Sequence, residues 1–226
     1  MEFITFLVYN KKYEHETEDF MGKAKWKGGN MLYPLPAVLI ASRNKAGKDN
    51  ICTVAWTGTV CTNPPMLSIS LRPSRLSYEY IVETGVFTVN LTTEALARAT
   101  DYCGVISGRD EDKFETARLT REEADEINCP MVAESPVNIE CRVRETIALG
   151  SHTMFLADVL AVHADEAYMD EKNRFDLSKA DPIVYSHGEY RGIGKYLGNF
   201  GFSVRKKKGR SAGKGESEKH SVGRKK

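Results

Sequence analysis

Long apolar runs are missing from this chain. Every apolar stretch is broken within about ten residues, well short of the roughly 18 that cross a bilayer as a helix. The run at 3–9 has no basic residues before it and the polar segment 10–19 after it, so it is not expected to act as a signal peptide. Cysteine is scarce and unpaired in pattern. Cys52, Cys61, Cys103, Cys129 and Cys141 are odd in number and include no C-x-x-C pair. Reduced thiols in a cytoplasmic protein are expected, with a disulfide framework as the rival reading. The five histidines lack zinc-ligand spacing, so no metal site is expected. Composition also excludes collagen, coiled-coil and wholly disordered chains. No internal repeat is visible.

What remains is 226 residues, 41% of them hydrophobic. That supports one sizeable core and is too little for two average domains. The net charge of +1 hides an asymmetry. From Ser203 onward there are ten Lys/Arg and two Glu, or +8, while the rest of the chain carries −7. Three segments are expected: an N-terminal extension of uncertain order at 1–30, a folded domain at 31–202, and a basic, disordered tail at 203–226.

Within the domain, residues 37–42 and 51–60 read as two strands of a hairpin joined by the turn-rich 44–50. Residues 66–71 alternate as a strand. Residues 74–84 read as a helix closed by Gly85. Another strand follows at 86–91, and a second helix at about 93–102 has Thr92 as its N-cap. Residues 104–114 are polar and looped. Thr120 and Glu123 match a capping box. Two longer strands follow at 137–149 and 153–163, the second apolar on both faces and so expected to be central and covered on both sides. A last short strand falls at 183–186. Short strands with interspersed short helices, without a βαβ repeat, predict a mainly β fold, an antiparallel barrel with helical insertions.

Two familiar motifs fail on context. Gly209–Gly213 spells G-x-S-x-G but lies in the basic tail, without the strand and helix a nucleophile elbow needs. Gly192, Gly194 and Gly198 miss the dinucleotide spacing by one residue and lack a βαβ unit. Two other segments carry chemistry. Ser68, Ser70 and Arg72 share a strand face and lead into Ser74, Arg75 and Ser77 at a helix start. Hydroxyls, guanidinium groups and free N–H groups suit a phosphate, and a solvated strand edge with an N-cap explains the same residues. Thr53, Ala55 and Thr57 form a small-residue strand face that leaves space for a flat ligand, with Val54 and Trp56 opposite. A core strand anchored by Trp56 is the plainer explanation.

These residues also fit a larger pattern. N-x-x-T-x-A-W at 50–56, N-P-P at 63–65, S-L-R-x-x-R-x-S at 70–77 and F-x-V-N at 87–90 resemble the flavin reductase-like family, whose members have an FMN-binding split barrel. The stretches 101–110, 112–114 and 149–153 are similar to flavoredoxins in particular. The resemblance spans roughly 32–202. It implies that Asn50 and the segment Thr53, Val54, Ala55 and Trp56 contact the isoalloxazine and ribityl chain. It also implies that Ser70, Leu71, Arg72 and Ser77 hold the phosphate. Asn90, Asp101, Tyr102, Cys103, Gly104 and Lys113 would complete the site. His152 either approaches a nicotinamide or substrate, or is a structural histidine at a strand start.

The resemblance implies an oxidoreductase in which bound FMN carries the chemistry, so no general base is assigned. NAD(P)H or an electron carrier would be the donor, and a homodimer the assembly. A pyridoxamine-phosphate-oxidase-type enzyme on a related barrel is the alternative activity. A nucleic-acid-associated protein using the basic tail is the alternative class.

Overall fold

A computed structural model describes residues 22–205. The chain divides into two units, Met1–Tyr33 and Pro34–Lys226. Of the first, residues 22–33 are described and form no helix or strand. The rest of the expected extension, and the tail beyond Arg205, lie outside the described residues.

The second unit opens with β1 (Leu35–Pro36), β2 (Val38–Arg43), β3 (Asp49–Val54), β4 (Thr57–Thr62) and β5 (Pro65–Leu71). Helix α1 (Leu76–Thr84) and β6 (Val86–Leu91) follow, then α2 (Ala97–Val105) and α3 (Lys113–Thr116). The remaining strands are β7 (Arg121–Glu123), β8 (Pro130–Val132), β9 (Val137–Ala148), β10 (Thr153–Ala164), β11 (Ile183–Ser186) and β12 (Glu189–Gly192). Seven strands form one antiparallel sheet in the order β3-β2-β6-β9-β10-β5-β4. The sets β1-β11-β12 and β7-β8 form smaller sheets. The architecture is the mainly β, antiparallel barrel that the short-strand pattern predicts.

Strand β2 shows how the layers form. Val38 and Ile40 join Phe87 and Phe155 in the barrel core, while Leu39 and Ala41 pack with Cys103 and Phe114 under α2 and α3. Both faces are apolar because both are covered. Burying each large side chain contributes about 1.5–3 kcal/mol. Helix α1 ends at Gly85, whose φ of 73° is left-handed and whose N–H bonds Ile81 at 2.8 Å. Glycine adopts that conformation without strain.

Several local expectations are corrected. The single strand read at 51–60 is two strands separated by Ala55 and Trp56. The Thr57 N–H turns back onto the Ala55 carbonyl at 3.0 Å, and the chain leaves β2 for β5. Thr92 does not cap a helix. Its hydroxyl donates to Ala37 O at 2.6 Å, and α2 begins only at Ala97. That helix also runs on into the segment read as loop. Thr120 opens no helix, because Glu134 takes its N–H at 3.0 Å and residues 121–123 pair with β8. Strand β10 is central, but within the chain only the Thr153, Phe155 and Ala157 face is buried, and Met154 and Leu156 opposite are half-buried. Strand β12 was not expected. Its residues are polar, and the hairpin turns at His187 and Gly188, both at positive φ (50° and 83°).

Candidate functional site

Helix α1 starts beside β3. The Nδ2 group of Asn50, on β3, donates to Ser77 Oγ at 2.7 Å, and both residues are buried. Next to this pair is a pocket of about 150 Å³. Asn50 and Cys52 of β3 form its floor. Ser74, Arg75 and Leu76 supply one wall, and Ile106, Ser107 and Gly108 the other. Gly108 approaches so closely that a Cβ there would lie 1.8 Å from Asn50 Oδ1.

Lys113, 4% exposed, completes the lining. Its Nζ donates to Cys103 O at 3.0 Å and Ile106 O at 3.1 Å. No carboxylate among the described residues forms an ion pair with it. An ammonium group has three donors, so one is left for whatever enters the pocket. Burial holds the Lys113 pKa below the ordinary lysine range. A buried, unneutralised cation beside the first N–H groups of a nine-residue helix is the chemistry of an anion site. Burial also pushes the Cys52 thiol up, against the pull of Ser77 and Lys113.

The other end of β3 leads to Trp56, whose carbonyl accepts the Ser70 N–H at 2.8 Å. The indole meets Tyr185 edge-on at 6.5 Å, and Tyr185 meets Tyr190 at 5.8 Å. Burial and then the Asp101 carboxylate push the Tyr190 phenol up. Helix α2 lies close on β3. The Thr53 hydroxyl donates to Thr100 O, and a Cβ on Gly104 would stand 3.3 Å from Thr53 Cβ. Tyr102 donates to Glu111, and Cys103 is fully buried.

Of the expected site residues, Asn50 and Lys113 therefore line the pocket, Ser77 and Cys103 sit behind them as their hydrogen-bond partners, and Trp56 joins an aromatic cluster. Ser70, Leu71 and Arg72 do not line the pocket. Arg72 is exposed and close enough to His152 that its charge, after burial, lowers that imidazole's pKa. His152 Nδ1 also meets Ser151 Oγ at 2.9 Å. Val54 lies in the barrel core. Asn90 lies away from any site. Its Nδ2 donates to Leu39 O and Thr88 Oγ1, and its Oδ1 accepts from the Val132 N–H and Asn138 Nδ2. All its hydrogen-bonding capacity is used inside the core. Ser74 and Arg75, part of the hydroxyl and guanidinium cluster read from the sequence, do line the pocket. Residues that sequence reasoning left out of the site are Ser107, Gly108, Tyr185 and Tyr190. The first two fall inside the flavoredoxin-like stretch 101–110; the tyrosines belong to the unexpected hairpin.

Asp125, Glu140 and His163 bring three ligand-type atoms within 4.8 Å. Glu140 is fully engaged there, accepting from the Asp125 and Glu126 N–H groups at 3.0 and 2.8 Å and pairing with His163 Nε2 at 2.7 Å. Burial raises its pKa, but these donors outweigh burial and leave it below the ordinary range. The trio holds the loop after β7.

The pocket lined by buried Lys113 lies at the start of β3, and the aromatic cluster of Trp56, Tyr185 and Tyr190 follows its other end. Residues 30–194 match the flavin reductase like domain, and the chain belongs to that family. The fold is shared with a flavoredoxin of Desulfovibrio vulgaris at a TM-score of 0.76 and 30% identity, covering 81% of this chain and 100% of that one. A flavoredoxin from Methanosarcina acetivorans gives 0.74 and 31%, with the same coverage. An uncharacterized protein of Archaeoglobus fulgidus is 33% identical over 141 residues, 62% of this chain and 78% of its own length. No helix among the described residues is long and apolar enough to cross a membrane.

Proposed function

We propose that this protein binds FMN and works as an oxidoreductase, passing electrons from NAD(P)H or a reduced carrier to an acceptor. The observation that carries this reading is Lys113, a buried cation with a spare donor in a pocket shared with Asn50, Ser74 and Arg75. Lys113, Arg75 and the start of α1 would hold the phosphate. Asn50 to Val54 covers four residue steps of β3, roughly 13 Å of extended chain, along which a ribityl chain would run toward Trp56 and the aromatic cluster. Ser70, Arg72 and His152 would face the side where a donor or substrate approaches. When bound, the flavin supplies hydride acceptance at N5. The chain's own residues bind it, orient its rings and limit water at the phosphate.

The free thiols among the described residues support a reducing compartment such as the cytoplasm. The half-buried face of β10 supports a homodimer. An absorbance spectrum of the purified protein tests the reading. A flavin absorbance spectrum is expected, with the chromophore released into solution on denaturation and identified there as FMN. A protein that neither carries nor takes up FMN rejects it.

A further inference from the structure

The loop between α2 and α3, residues 106–112, forms one wall of the pocket through Ile106, Ser107 and Gly108. Its Ile106 carbonyl also holds Lys113 Nζ. The facing wall is the start of α1. The two walls are far apart in sequence. Among the described residues, one hydrogen-bonded ion pair joins the loop to α1: Arg109 Nη2 donates to the Glu79 carboxylate. Glu79 lies three residues beyond Leu76, the pocket-wall residue that opens α1, which places the two on one face of the helix, so the pair closes about one turn along from the pocket wall.

The ends of the loop are fixed by other contacts. Tyr102 bonds Glu111, and the Asp112 side chain accepts the Phe114 and Glu115 N–H groups at the start of α3. Inside the loop, the Arg109 N–H donates to Ser107 Oγ at 3.2 Å, which sets the direction in which Arg109 leaves the turn. The middle of the loop therefore meets α1 through this one ion pair and through Gly108, which packs close to Leu76. A ligand lying in the pocket would touch both walls, so the contact that holds them together bears on how firmly it is held.

We propose that the Arg109–Glu79 pair is a latch that sets how fast an anionic ligand, here the phosphate end of a bound flavin, leaves the pocket. This rests on the FMN reading above. Arg109 and Glu79 act as positioning residues, through the loop. Their side chains are 43% and 53% exposed, so the latch is weak and salt-sensitive. Such a latch suits a flavin that is retained between turnovers yet exchanges.

The test is stopped-flow release of FMN from the full-length protein into excess competitor. Arg109→Ala and Glu79→Ala should each release FMN about two- to fivefold faster, the scale of an exposed ion pair, with association changed less than about twofold. Arg109→Glu should be faster still. The swap Arg109→Glu with Glu79→Arg should restore the slow rate, a rescue that mere loss of packing would not give. Near 1 M salt, where screening acts within about 3 Å, the alanine variants and wild type should converge. Amide exchange at 107–110 in the flavin-free protein should quicken in the single variants and recover in the swap. If wild type binds FMN but both alanine variants release it at the wild-type rate, the latch is overturned and the FMN reading stands. If wild type does not bind FMN, both fall.

Discussion

Gly108 rests against the carboxamide of Asn50, with room for a hydrogen but not for a methyl group, since a Cβ would sit 1.8 Å from Oδ1. The Asn50 amide is in turn held by Ser77 at 2.7 Å, so it cannot give way without breaking that bond. Gly108→Ala should move the loop or rotate Asn50. The expected result is at least about tenfold weaker FMN binding, with a stability loss of about 1–3 kcal/mol for overpacking. Gly104→Ala, whose Cβ would meet Thr53 at 3.3 Å, should cost under about 1.5 kcal/mol, as a small, tolerated fit does. Urea melts and a fluorescence titration separate the two.

Lys113 should make binding pH-dependent. A phosphate is held by the ammonium form, and burial holds that group's pKa below the ordinary lysine range. FMN affinity should therefore fall as pH rises through the Lys113 pKa, at lower pH than an exposed lysine would give. Lys113→Met should bind about ten- to hundredfold more weakly at neutral pH, as expected for losing a charge-assisted hydrogen bond of about 1.5–3 kcal/mol. It should also lose that alkaline limb. A wild-type profile that is flat through the alkaline range would count against the ammonium.

Glu140 should govern acid stability. Its folded-state pKa lies below the ordinary carboxylate range, so its contribution is fully present above the unfolded value and is lost as pH falls through the folded one. Glu140→Gln leaves one acceptor for three donors. It should destabilise the protein by about 1–3 kcal/mol at neutral pH and flatten the stability profile on the acid side. Thermal melts from pH 7 down to about 3 read both effects.

The thiols should be quiet. Burial pushes Cys103 up to about 11 and Cys129 up to about 12, and Cys141 is also raised. Only Cys61, on edge strand β4, is partly exposed. A thiol reagent at neutral pH should label one cysteine quickly and the other four only after denaturation. Fast labelling of Cys52 or Cys103 would mean the pocket opens more than this structure shows.

Much of the barrel was legible because its strands are apolar or alternating and bounded by turns, as at residues 37–42 and 137–149. What sequence could not show was non-local. The alternation through Thr53, Ala55 and Thr57 runs unbroken, yet the chain changes partner strand at Trp56. The same holds in the site. Strand periodicity groups Ser70 with Arg72. The turn in which the Arg75 N–H bonds Arg72 O at 3.0 Å then carries Ser74 and Arg75 to the pocket and leaves Arg72 outside. Asn90, like Lys113, was placed in the site through the family resemblance, and only the folded core shows all its bonds spent. The burial and the spare donor of Lys113 became visible once α2 and α3 were in place.

The central claim is that the Lys113 pocket holds the phosphate of FMN. The most direct measurement compares FMN and riboflavin, which differ only in that phosphate, by titration against wild type and Lys113→Met. The account predicts that wild type prefers FMN by about ten- to hundredfold, or about 1.5–3 kcal/mol, and that the preference largely disappears in the variant. Equal affinity of wild type for the two ligands, or a preference that survives in Lys113→Met, would contradict it.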